Sequence, residues 1–105
     1  MPIIRADRGI TTQINVFTVP AGGQDALIAY LIEAAHAARD VEGWLSASLH
    51  RSLDGTRVAN YAQTAGPDAA RRVFEHLDAQ GRIEGNRRFG IAHPGLYETV
   101  FTLDK

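Results

Sequence analysis

Residues 44–64, Trp-Leu-Ser-Ala-Ser-Leu-His-Arg-Ser-Leu-Asp-Gly-Thr-Arg-Val-Ala-Asn-Tyr-Ala-Gln-Thr, form two extended runs around Asp54-Gly55. Glycine takes positive φ without steric cost and aspartate tolerates it, so this pair favours a tight type I′ hairpin. The spacing predicts strands over 44–53 and 56–64, paired antiparallel. An isolated hairpin is marginal in water, so the flanking segments must add strands and a hydrophobic cover.

The flanks supply both. Residues 10–19 are rich in β-branched side chains and end at Pro20, which reads as a strand. Ile10, Ile14 and Val16 share one parity while Asn15, Phe17 and Val19 share the other, so this strand expects cover on two sides. After the turn Pro20-Ala21-Gly22-Gly23, residues 24–40 take a helical period. Leu27, Leu31, Ala34 and Ala38 form its stripe, and Ile28 and Ile32 widen it. Gly66-Pro67-Asp68 breaks the second hairpin strand, and Asp68 is placed to cap a helix whose buried stripe is Val73, Phe74 and Leu77. Gly81, Gly85 and Gly90 interrupt residues 80–94, which read as a loop or broken helix. The alternation over 96–103 predicts the last strand. The order strand, helix, strand, strand, helix, strand is the ferredoxin-like α+β arrangement, βαββαβ, with a four-stranded antiparallel sheet and helices on one face. The other face still carries apolar groups, and a second copy of the sheet is its simplest cover, so a homodimer is expected.

At 105 residues the chain is sized for one domain, with a core over about residues 10–104. It is 45% hydrophobic and 22% charged with a net charge of −1, well away from disordered composition. The basic residues form no stripe. Their nearest cluster, Arg82, Arg87 and Arg88, is short and mixed with acids, so no nucleic-acid partner is expected. The absence of cysteine excludes disulfides, thiolate metal sites and thiol nucleophiles. His36, His76 and His93 lack ligand spacing, so no metal is expected. No window approaches the length of a membrane span and the opening residues hold no signal-peptide core, so the expectation is a cytoplasmic protein with no membrane partner.

Three stretches carry a more specific pattern: Asn15-Val16-Phe17-Thr18-Val19, Glu42-Gly43-Trp44-Leu45-Ser46-Ala47, and Leu49 through Gln63 with His50-x-Ser52-x-Asp54-Gly55-Thr56-x-Val58-x-Asn60-Tyr61-Ala62-Gln63. Over residues 13–63 the chain resembles the antibiotic biosynthesis monooxygenase (ABM) family. The resemblance implies a dimeric α+β barrel, made when two sheets pack face to face. Family enzymes include cofactor-free tailoring monooxygenases, in which a deprotonated phenol or anthrone reduces O₂ itself, and haem-degrading monooxygenases. By the same resemblance Asn60 is a catalytic amide that stabilises a developing oxyanion. His50 is the proton acceptor, suited by an unperturbed pKa of ~6.5. Asn15, Phe17, Ala62, Thr64, Ala70 and Phe74 belong to the substrate pocket. Each polar residue has a plainer reading: Asn60 bonded to neighbouring backbone, His50 idle at a barrel end. Tyr61, of opposite parity to Asn60, and Trp44 read as packing groups.

Two departures matter. The family pattern has tryptophan after Tyr-Ala-Gln, where this chain has Thr64, and some tailoring enzymes carry a tyrosine where Ala70 stands. Without that tryptophan the haem-degrading residue set cannot be assembled, and the pocket should be wider. The expected activity is therefore cofactor-independent monooxygenation of a small electron-rich aromatic or quinol-type molecule by O₂, with neither flavin nor metal. A non-oxidative isomerase or cyclase, or a ligand-binding or structural dimer without catalysis, remain alternatives on the same scaffold. Arg82, Arg87 and Arg88 either cover an anionic substrate or sit in a solvated loop.

Overall fold

The computed structural model describes residues 1–6 and 9–105. Its elements run β1 (Thr11–Thr18), α1 (Gln24–Ala38), β2 (Trp44–Arg51), β3 (Arg57–Thr64), α2 (Pro67–Ala79), the single-turn α3 (Arg82–Gly85), a 3₁₀ turn (Asn86–Arg88) and β4 (Ile91–Tyr97). The strands make one antiparallel sheet in the order β2-β3-β1-β4. This is the ferredoxin-like α+β arrangement that the pattern predicts.

Register fixes which side chains meet. Phe17 pairs with Val58, Asn15 with Asn60 and Gln13 with Ala62, so these residues share the face that the helices cover. α1 lays Leu27, Leu31, Ala34 and Ala38 against that face, the stripe expected from its period. Phe17, Leu27, Leu31 and Val58 form the packed core, with Val19, Ile28, Leu49 and Phe89 around it. Along α1 the stripe falls from leucine to alanine, and the space this leaves is the origin of the site described below. The opposite sheet face carries Ile14, Val16, Ala59, Tyr61, His50 and His93; among the described residues no helix is packed over it, and the N-terminal segment reaches only its edge, where Gln63 Nε2 donates to the Ile3 carbonyl (3.1 Å).

The structure corrects four local expectations. The last strand is Ile91–Tyr97, not 96–103, and residues 98–105 have no regular structure. Pro94 and Gly95 disguise it, but β4 is an edge strand where a missing N–H is tolerated. The Asn15 side chain also accepts a hydrogen bond from the neighbouring His93 N–H (3.1 Å). Residues 80–94 therefore divide between α3, the 3₁₀ turn and the start of β4. The hairpin is not type I′, which needs positive φ at both central residues. Gly55 has φ +82°, but no non-glycine residue among those described does. The connection spans residues 52–56, with the Ser52 carbonyl accepting from the Gly55 N–H. Asp54 acts through its side chain instead: its carboxylate accepts from the Thr56 hydroxyl (2.6 Å), the Thr56 N–H (3.0 Å) and the Ser52 hydroxyl (2.9 Å). These bonds, led by those from Thr56, hold its pKa down at about 2.

Asp68 does not cap α2, which starts at Pro67 with Gly66 before it and no side-chain cap; Asp68 instead pairs with Arg71 in the first turn (2.9 Å). The Val73, Phe74 and Leu77 stripe is not closed into a packed core: Ala69 is the buried residue of α2, and Phe74 is 48% exposed. Among the described residues no helix is long and apolar enough to cross a membrane.

Candidate functional site

Between the sheet and the helices lies a cavity of about 810 Å³. Its floor is the helix-facing side of all four strands. β1 gives Gln13, Asn15 and Phe17, and β3 gives Asn60, Ala62 and Thr64. Ala47 of β2 and the β4 residues Ala92, Pro94 and Leu96 complete it. Its roof is the alanine end of α1, the Ala70, Val73, Phe74 and Leu77 side of α2, and the segment Gly81–Gly90. The lining is mainly carbon, the composition that suits a small apolar ligand held by a few polar groups.

Those polar groups are specific. Asn15 and Asn60 are directly opposed on β1 and β3. Because the Asn15 Oδ1 is occupied by the His93 N–H, its amide nitrogen is the group left for a ligand. The Asn60 side chain makes no hydrogen bond, and its Oδ1 is fully buried without a partner. A buried oxygen of this kind is costly in an empty site and is relieved by a ligand O–H or N–H, while the Nδ2 of the same amide stays available to donate to a ligand oxygen. Thr64 is different: its hydroxyl lies 3.2 Å from the Gly66 carbonyl and 3.4 Å from the Thr11 carbonyl, so its proton is committed to backbone.

All the expected pocket residues, Asn15, Phe17, Ala62, Thr64, Ala70 and Phe74, line this one cavity together with Asn60. His50 does not. It pairs with Ala59, one position from the Leu49–Asn60 pair, and side chains alternate along a strand. It therefore stands exposed on the opposite sheet face, separated from Asn60 by the sheet. Tyr61 lies on that outer face too, paired with Ser48 and Ile14. The arginine cluster splits two ways. Arg82 and Arg87 line the cavity, whereas the Arg88 guanidinium lies over the rings of Tyr30 and Phe89 (5.7 and 5.5 Å). Asn86 also lines the cavity, a residue to which the sequence pattern assigns no part. No aspartate, glutamate, histidine or tyrosine does so among the described residues.

A four-stranded antiparallel sheet with its helices on one face defines a ferredoxin-like α+β domain, and known structures share that fold. No protein-family model matches the chain, and no curated protein matches its sequence. Among solved structures it is similar to SnoaB, a cofactor-independent oxygenase from Streptomyces nogalater. The identity there is 21% over 92% of this chain and 99% of that one, with a TM-score of 0.82. It is also similar to the monooxygenase ActVA-Orf6 of Streptomyces coelicolor, solved with the ligand nanaomycin D (24% identity, 90% and 91% coverage, TM-score 0.78). A protein of Chloroflexus aurantiacus J-10-fl, provisionally named an antibiotic biosynthesis monooxygenase, matches at 19% identity over 90% and 97% of the two chains, with a TM-score of 0.71. The chain thus has the fold found in the antibiotic biosynthesis monooxygenases.

Proposed function

We propose that this protein is a cofactor-independent monooxygenase of the ABM type, acting with O₂ on a small electron-rich aromatic or quinol-type molecule. The observation that carries this reading is Asn60: an unbonded amide in a carbon-lined cavity, opposed to the free amide nitrogen of Asn15. The same fold in SnoaB, described as a cofactor-independent oxygenase, supports it.

The chemistry asks little of the protein beyond binding and charge. An anthrone-type CH₂ group or a phenol loses a proton, and the carbanion or phenolate gives one electron to O₂. The two radicals combine to a peroxide on carbon, and loss of water from a CH₂ centre leaves a carbonyl. One oxygen atom enters the product and the other leaves as water, so no external reductant is needed. Amide donors from Asn15 and Asn60 stabilise the anion where water is excluded, which lowers the cost of the first step. His50 has no part in this scheme, and the substrate proton passes to solvent at the open side of the cavity.

Oxygen uptake by the purified protein against hydroquinones, anthrones and catechols tests the reading. Uptake well above autoxidation, lost in Asn60→Ala and retained in His50→Ala, is the expected result. No uptake across the panel overturns it. We further propose that the protein works as a homodimer joined through the uncovered sheet faces, which carry Ile14, Val16 and Tyr61. Sedimentation velocity should give twice the chain mass.

A further inference from the structure

The cavity wall carries three arginines, Arg71, Arg82 and Arg87, and no carboxylate among the described residues. Two of them already have anions. Arg71 pairs with Asp68 (2.9 Å) and Arg87 with Glu84 (3.3 Å), both in exposed ion pairs that contribute little. Arg82 has none among the described residues. Its Nε donates to Gln80 Oε1 (2.8 Å), which leaves its terminal nitrogens with no partner among the described residues. Four residues on, Asn86 lines the same cavity with a buried, unpartnered Oδ1. A guanidinium that lacks an acceptor and an amide oxygen that lacks a donor thus stand together on the helical wall, across from the sheet floor.

The backbone that carries them is also held in place. The Tyr30 hydroxyl of α1 lies 3.4 Å from the Arg82 carbonyl, and the Tyr30 ring packs on Phe89 with centroids 4.9 Å apart. Gly85 sits so closely on Tyr30 Oη that a Cβ there would overlap it. A fixed cation loses less freedom on binding than a loose one and reads planar anions through paired N–H donors.

We propose that the cavity recognises an aromatic ligand bearing a fixed negative charge, a carboxylate or sulfonate, with the charge on Arg82, an N–H or O–H of the ligand donating to Asn86 Oδ1, and the rings on the alanine-lined floor. This rests on reading the cavity as a small-molecule site, but it holds whether or not the bound molecule reacts with O₂.

Two fluorescent probes with one ring system separate charge from shape: 8-anilinonaphthalene-1-sulfonate and its neutral parent N-phenyl-1-naphthylamine. The sulfonate should bind at least about ten-fold more tightly, the factor expected of one desolvated charged hydrogen-bonding site. Arg82→Gln should remove that preference while leaving the neutral probe's affinity unchanged, which also reports an intact cavity. Arg51→Gln, a charge change outside the cavity, should leave the preference in place, and Ala70→Trp should weaken both probes by filling the space. Equal binding of the two probes by the unaltered protein overturns the proposal without recourse to any variant, as does binding of neither. A preference that survives Arg82→Gln, or affinities untouched by Ala70→Trp, also overturns it. None of these readings depends on oxygen uptake, so failure here and failure of the monooxygenase reading are separate results.

Discussion

The helix-facing side of the sheet has two ends built from the same elements to opposite effect. At one end Phe17 and Val58 meet Leu27 and Leu31, and all four are buried. At the other, Ala47, Ala62 and Thr64 face Ala34, Ala38 and Ala70, and the space between them is the cavity. One strand pair and one helix run through both ends, so backbone geometry does not make the difference. Side-chain volume does. Interiors pack to crystal-like density, and a run of alanines where leucines would fit leaves a void unless the backbone collapses around it. Here the strand register and the docked α2 hold the layers apart.

This contrast sets the size of four effects. The largest is expected at the packed end: Leu27→Ala should destabilise the protein by about 3 kcal/mol, measured by chemical denaturation, because the site cannot collapse. Next comes the hollow end, where Asn60→Ala should lower oxygen-uptake turnover by about 10²-fold, the usual loss for one oxyanion donor. That variant should keep or slightly gain stability, since it removes an unpaired amide. A smaller effect follows from Ala70→Leu. By filling the void it should change stability by less than about 1 kcal/mol in either direction while weakening ligand binding. If Ala70→Leu destabilised the protein as much as Leu27→Ala, the two ends would not differ in packing.

The smallest effect belongs to Asp54, outside both ends. Its carboxyl is held at about 2 against an ordinary 3.8, so its bonds stabilise the fold fully above pH 4. That contribution is lost as pH falls from 4 through 2. The Tm difference between the protein and Asp54→Asn should therefore shrink across that window and stay flat from pH 5 to 8.

The packed end was legible in the sequence because Leu27 and Leu31 follow one helical stripe and Phe17 follows strand parity. Asn60 was legible as a candidate through the hairpin motif, and Asn15 through the first-strand segment of the same family resemblance. The face of His50 was legible as well: a hairpin about Asp54-Gly55 pairs it with Ala59, by the same alternation that separates Tyr61 from Asn60. Two features were hidden for physical reasons. β4 carries Pro94 and Gly95, tolerated because it lies at the sheet edge, so its composition does not read as a strand. Arg82 and Asn86 become cavity residues only because Gly85 docks on Tyr30, a contact between residues 55 positions apart that no local pattern encodes.

That docking contact has a consequence for ligand choice. The segment Gly81–Gly90 contributes none of the four central core side chains, yet it supplies the only cavity arginine among the described residues without a carboxylate partner. A change of ligand charge can therefore be made here, at Arg82, without altering any of those four core side chains. Ligand charge and core packing thus draw on largely separate side chains of this domain.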